Sequence, residues 1–213
     1  MELQNKYIAI EGNIGAGKTS LATKIAEQFG GKLILEQFSD NPFLPKFYEN
    51  PERYSFPLEL SFLAARYKQL INEISSTDLF KSFTIADYYF VKSMIFARAT
   101  LHVDEFNLYR QLFDIIYKQL PFPDLYVYLH QNVEQLLENI KKRGRAYEQE
   151  ISADYLLQIQ NSYFSYFKTM NDFPVVAIDC SSIDFVNNPH HYSQVLDTIL
   201  TTNYKKGLNR ICL

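Results

Sequence analysis

The sequence predicts an α/β fold in which a five-stranded parallel sheet is flanked by helices. Three observations carry that expectation. Short, apolar, β-rich runs alternate with longer stretches of helical period, and such alternation joins strands by crossovers that pair them in parallel. A glycine-rich turn sits between the first run and the first helical stretch. The length of 213 residues suits one hydrophobic core, because single cores stop growing only near roughly 250–300 residues.

In chain order, residues 7–11 (YIAIE) form the first predicted strand and residues 18–29 the helix after it. Residues 33–36 give the second strand, residues 57–74 a long helix, and residues 83–86 the third strand. Residues 88–119 have helical length and periodicity throughout. The fourth strand, 125–129, leads into a helix over 133–142 and a further one over 153–171. A fifth strand at 175–178 and a helix at 192–201 complete the pattern. No repeat, low-complexity segment or linker interrupts it, so residues 1–213 are expected to be a single domain. Most of the 15% aromatic content is expected in the core.

A formal charge of -3 and a pI of about 5.8 leave no broad positive face for a polymeric nucleic acid. Cys180 and Cys212 stand far apart with no second ligand at metal spacing, and are expected as free thiols in a reducing cytosol. His190 and His191 are adjacent beside Pro189 in what reads as a polar loop, a poor geometry for a metal pair. The opening MELQNKYIAIEG enters a strand without a basic leader or apolar h-region, so no export signal is expected. Apolar runs fall short of the roughly 20 residues a membrane span needs. The expectation is a cytoplasmic protein with no membrane partner.

Gly12, Asn13, Ile14, Gly15, Ala16, Gly17, Lys18 and Thr19 match G-x-x-x-x-G-K-S/T, after a strand and before a helix, which is the context the pattern's chemistry needs. Glycines let backbone N–H groups turn inward around phosphates, and the helix aims its positive dipole end at them. Lys18 is expected to bridge the β- and γ-phosphates of ATP, and the Thr19 hydroxyl to hold Mg²⁺. Such a loop specifies a triphosphate and leaves the acceptor open. Glu36, in LILEQF, stands at the C-terminal end of the second strand, the edge where open α/β sheets bind ligands. A carboxylate there can take a proton from a hydroxyl.

Beyond these features the chain resembles the deoxynucleoside kinases, a family that includes deoxycytidine, deoxyguanosine and bacterial deoxyadenosine kinases. The likeness covers nearly the whole chain. Besides the glycine turn it rests on FYENPERYSF around Tyr48, the Arg66 helix, MIFA around Phe96, RGRAYEQEI around Arg145, and DCSSIDF. The resemblance implies the P-loop nucleoside and nucleotide kinase fold with a short lid over about residues 139–152. It implies transfer of the γ-phosphoryl group of ATP to a deoxynucleoside 5′-hydroxyl, with Glu36 as general base and Tyr48 and Glu148 holding the 3′-hydroxyl. Arg143 and Arg145 become lid arginines over the phosphates. Phe96 becomes the aromatic stacked on the base, with Glu59 and Arg66 at the pocket floor. Asp184 and Phe185 fall where relatives hold the donor adenine.

The chain also departs from its relatives. Most carry Gln where this chain has Glu59, and an amide both donates and accepts while a carboxylate only accepts. An acid-Arg-Ser triplet after the third strand is replaced by Ala86-Asp87-Tyr88, which leaves Asp87 as the expected Mg²⁺-associated carboxylate and removes an arginine. A lid-helix arginine falls on Asn139, with Lys141 or Lys142 as the expected replacement. Some relatives have an acid at Lys92. Here Lys92 is expected to pair with Glu59, freeing Arg66 for a base acceptor such as N7 and favouring purines.

Two other functions fit the glycine turn. A nucleoside monophosphate kinase of thymidylate kinase type would need extra cations for the acceptor's phosphate, yet residues 36–49 hold only Lys46. A non-catalytic ATP-binding regulator would have no use for Glu36, Tyr48, Glu148 and the lid arginines together. By resemblance the helices over 57–74 and 88–119 are expected to pair two copies into a homodimer.

Overall fold

A computed structural model describes residues 5–37, 41–75, 81–200 and 204–213. Its strands are β1 (Tyr7–Gly12), β2 (Lys32–Ile34), β3 (Thr84–Ala86), β4 (Leu125–His130), β5 (Pro174–Asp179) and β6 (Gly207–Cys212). They form one sheet in the order β2-β3-β1-β4-β5-β6, with every neighbouring pair parallel. The helices are α1 (Lys18–Phe29), α2 (Leu44–Glu49), α3 (Pro51–Ser75), α4 (Val91–Thr100), α5 (Val103–Tyr117), α6 (Val133–Arg143), α7 (Ala153–Phe167) and α8 (Pro189–Leu200).

Parallel strands covered on both faces alternate between two cores. Tyr7, Ala9, Tyr126 and Tyr128 pack on one side with α3, α4, α5 and most of α7. Ile8, Ile10, Val127 and Leu129 pack on the other with α1, α6 and α8. The chain leaves β1 toward β2 and β3 and then continues on the opposite side through β4, so the winding reverses beside β1 and opens a crevice at the strand C-termini.

Where the structure differs from the sequence expectation, local chemistry gives the reason. The sheet has six strands rather than five, because β6 (GLNRIC) places two polar residues between its apolar ones and follows neither strand period. Residues 88–119 are two helices: after Leu101 the chain turns, and the His102 backbone N–H donates to the Glu105 carboxylate at 3.3 Å, recapping α5. The helix expected from 57 begins at Pro51, whose fixed φ suits a first helical position. The Asn50 side chain accepts from Arg53 N–H at 3.3 Å just before it. The second strand stops at Ile34, so Glu36 lies two residues beyond it, outside any strand or helix. His190 and His191 begin α8 rather than a loop, and His191 Nδ1 accepts from Asp184 N–H. The last helix was expected to reach Thr201, which lies outside the described residues.

Candidate active site

The glycine turn wraps the C-terminal end of β1. Gly17, the N-cap of α1, has φ +84, and a Cβ there would stand 2.8 Å from the Phe185 ring, so no other residue fits without moving that ring. Asn13 fixes the turn to its surroundings: its Nδ2 donates to Leu156 O at 2.8 Å and its Oδ1 accepts from Ile14 N–H at 2.8 Å. Lys18 Nζ folds back onto the carbonyls of Gly12 (3.0 Å) and Asn13 (2.8 Å). Burial, aided by the charge of Lys92, lowers its pKa to about 8, a deficit that a bound phosphate's negative charge reverses.

A chain of short contacts runs from this turn to the sheet edge. Thr19 Oγ1 donates to Asp87 Oδ2 at 2.5 Å, and Asp87 Oδ1 accepts from Glu36 N–H at 2.7 Å. Asp87, at the end of β3, thereby sets Glu36 relative to the phosphate loop. The Glu36 carboxylate takes Arg66 through Nε (2.8 Å) and Nη2 (2.7 Å) on one oxygen, and Lys92 Nζ (2.5 Å) on the other. Burial alone would raise its pKa, but Lys92 and Arg66 outweigh burial and hold it near 2.

This arrangement overturns the expected Lys92–Glu59 pair. Glu36 projects between α3 and α4 and collects both cations, and Arg66 gives its remaining Nη1 to Ser93 Oγ at 2.9 Å. Arg66 is therefore not free to approach a base as the sequence suggested. Glu59 instead accepts from Thr100 Oγ1 at 3.0 Å.

Two clefts meet here. The first, about 760 Å³, is lined by Glu36, Tyr48, Glu59, Arg66, Lys92, Phe96 and Glu148. The second, about 1600 Å³, lies over Gly15 and Gly17 and reaches Asp184 and Phe185. Lys18, Thr19, Arg143 and Arg145 line both, so they stand at the junction. Arg143 and Arg145, at 3.2 Å for Arg145, pair with Glu148, which ends a short 3-10 turn (Ala146–Glu148). The Tyr48 ring stacks on Tyr147 at 6.1 Å, and burial beside Glu148 raises its phenol pKa, keeping it a neutral donor.

Asp184 and Phe185 reach the second cleft in different ways. The Asp184 carboxylate is occupied by its own loop, accepting from the N–H groups of Val186 and Asn187 and from Asn187 Nδ2. Phe185 is buried against Gly17, and Lys24 Nζ ties down the carbonyls of Phe185 and Val186. Asn139 does not await a substitute charge, since its Nδ2 donates to Gly15 O at 2.9 Å and clamps α6 to the turn. Lys142 lines the second cleft, whereas Lys141 lines neither.

Sequence reasoning missed Glu11 and Tyr155. Glu11 is fully buried below the turn, accepting from Tyr89 N–H (2.8 Å) and Tyr163 Oη (2.9 Å), with burial raising its pKa. An acidic residue ending an otherwise apolar strand was its only signal. Tyr155 lines the first cleft from α7 and carried none.

A family model described as deoxynucleoside kinase matches residues 8–203. The chain is 39% identical to a deoxyguanosine kinase of Bacillus subtilis (strain 168) over 195 residues, 89% of this chain and 93% of that protein. It is 31% identical to a deoxyadenosine kinase of Lactobacillus acidophilus over 204 residues, 91% of this chain and 94% of that protein. A solved structure of deoxyadenosine kinase from M. mycoides with bound dCTP superposes with a TM-score of 0.75 at 25% identity, covering 91% of this chain and 98% of that one.

Proposed function

The chain belongs to the deoxynucleoside kinase family, and we propose that it moves the γ-phosphoryl group of Mg²⁺-bound ATP to the 5′-hydroxyl of a purine deoxynucleoside. One observation carries this reading: an acceptor cleft ending at Glu36 and a donor cleft over the glycine turn join at Lys18, Thr19, Arg143 and Arg145. The purine preference rests on the relatives named deoxyguanosine and deoxyadenosine kinases.

Phosphoryl transfer asks mainly for positioning and for positive charge around the moving group. Glu36 stays ionised throughout the working range, so it orients the 5′-hydroxyl by accepting its hydrogen bond. It receives the proton late, once the oxygen has begun to bond to phosphorus and become acidic. The oxygens of Thr19 and Asp87, 2.5 Å apart, fit a hard cation that prefers oxygen ligands and keeps waters of its own. Mg²⁺ bound there would neutralise β- and γ-oxygen charge. Arg143 and Arg145 close residues 139–152 as a lid within a single kinase domain. Arg66 and Lys92 are both held by the Glu36 carboxylate rather than left to reach for a ligand, which argues against an acceptor bearing its own phosphate. The test is incubation with ATP and each deoxynucleoside or deoxynucleoside monophosphate, with products separated by chromatography. Monophosphates from nucleosides are expected; diphosphates from monophosphates would point to the thymidylate kinase type.

Tyr48 and Glu148 are read as the sugar clamp. Tyr48→Phe should reduce the preference for a deoxynucleoside over its 2′,3′-dideoxy analogue by about 10-fold or more, measured as a ratio of kcat/KM. The assignment to a cytoplasmic enzyme draws support from the free thiols Cys180 and Cys212. Among the described residues no helix is long and apolar enough to cross a membrane. A homodimer draws support from the exposed Leu108, Leu112 and Ile115, which share a stripe on α5. The double substitution Leu112→Asp with Ile115→Asp should halve the mass measured by light scattering.

A further inference from the structure

The two oxygens of the Glu36 carboxylate are engaged differently. Oε1 is taken up by Arg66, through Nε at 2.8 Å and Nη2 at 2.7 Å, whereas Oε2 meets Lys92 Nζ at 2.5 Å. Each oxygen of an ionised carboxylate has two lone-pair sites. Arg66 occupies both sites of Oε1, so among the described residues the place left for an acceptor hydroxyl is the second site of Oε2. A 5′-oxygen bonded there has the Lys92 ammonium as its neighbour on the same atom.

The two cations differ in what they can do next. Arg66 is fixed by a further bond, since its Nη1 donates to Ser93 Oγ at 2.9 Å. Lys92 reaches Glu36 on a flexible stem from α4, and its ammonium rests 5.4 Å from the centre of the Phe96 ring. Lys92 lines the first cleft, and after burial its charge is the largest influence on Lys18, which stands where the two clefts join. Glu11 on β1 and Glu59 on α3 also feel that charge. Lys92 thus holds a compact positive charge between the acceptor oxygen and the phosphate turn.

We propose that Lys92 is a catalytic residue whose ammonium, held by Glu36 in the resting site, stabilises the phosphoryl group as it crosses to the 5′-oxygen. This rests on the deoxynucleoside kinase reading above. As the bond from the 5′-oxygen to the γ-phosphorus forms, the bond from that phosphorus to the β,γ-bridging oxygen breaks and its electron pair leaves on ADP. The 5′-proton passes to Glu36 Oε2. Lys92 keeps its own protons and makes no covalent bond. Because Glu36 engages the ammonium until the phosphoryl group arrives, the stabilisation is realised in the transition state and raises kcat rather than tightening either substrate.

The test compares Lys92→Met and Lys92→Gln with the unaltered protein in single-turnover transfer from γ-labelled ATP to deoxyguanosine, with equilibrium binding of both substrates measured on the same preparations. Methionine keeps the body of the stem and glutamine keeps a donor for Glu36 Oε2, while both remove the charge, so either variant serves where the other does not fold. Transfer should slow by about 10²- to 10³-fold, the loss typical of removing one oxyanion donor, with both binding constants changed by less than about threefold, the pattern of an interaction made only in the transition state. Lys92→Arg keeps the charge and should recover part of the rate. If Lys92 served only to hold Glu36 in place and ionised, its removal would leave a more basic carboxylate, and transfer would run as fast or faster. That result overturns the proposal, as does a loss of deoxyguanosine binding as large as the loss of rate, which would make Lys92 part of the acceptor's seat. Failure of the unaltered protein to phosphorylate any nucleoside would overturn the kinase reading as well.

Discussion

Glu36→Gln is expected to lower kcat by about 10²- to 10⁴-fold, the range a positioned general base contributes, with ATP affinity unchanged. The amide keeps the carboxylate's shape and one accepting oxygen, so the 5′-hydroxyl can still be held while its proton has nowhere to go. Single-turnover transfer from ATP labelled at the γ-position reads the chemical step, and ATP titration reads the donor site. Preserved turnover would remove Glu36 from the chemistry. The same substitution strips the counter-charge from Arg66 and Lys92, both buried. Removing one partner of a buried ion pair typically costs about 3–5 kcal/mol, so a lower Tm should accompany the loss of rate. The sign with pH is fixed as well. Because the folded-state pKa of Glu36 lies near 2 rather than at the ordinary 4.5, its stabilisation is present above the ordinary value and is lost as pH falls from there toward 2. The glutamine variant should lack that part of the acid transition.

Replacing Arg143 and Arg145 together by Ala should lower kcat by about 10³-fold or more, the scale of arginine charge supplied to a phosphoryl transition state. Both guanidiniums line the junction of the clefts, and both are held by Glu148. On the proposed reading, Glu148 connects the sugar clamp to the lid. Lysine replacements keep the charge but lose the planar fork and should recover only part of the rate. Rate measurements under saturating ATP and nucleoside check this, and a double variant that turns over normally would show that the lid cations do not act on the phosphates.

The fold was legible where periodicity is strong. The glycine turn, the strands around residues 8, 85, 126 and 176, and the helices α1, α6 and α7 follow from apolar spacing alone. The edge strand β6 was hidden by Asn209 and Arg210, and the break at Leu101 by continuous helical composition on both sides. The residues of the first cleft were legible as a set but not as a set of pairings. Glu36, Glu59, Arg66 and Lys92 come from a loop, α3 and α4, and which carboxylate collects the two cations is decided by tertiary reach rather than sequence distance. For the same reason the cation count over residues 36–49 overlooked Arg66 and Lys92, which enter from further along the chain. Glu11, silent in the sequence, became visible only when β1 was seen to end beneath Tyr89 and Tyr163.

The most direct test of the mechanism is a crystal soaked with deoxyguanosine and ADP. The 5′-oxygen should lie within about 2.6–3.2 Å of a Glu36 oxygen, facing the β-phosphate held by the glycine turn, with the base between Phe96 and Glu59. A sugar bound away from Glu36, or a Glu36 side chain turned from the cleft, would contradict it.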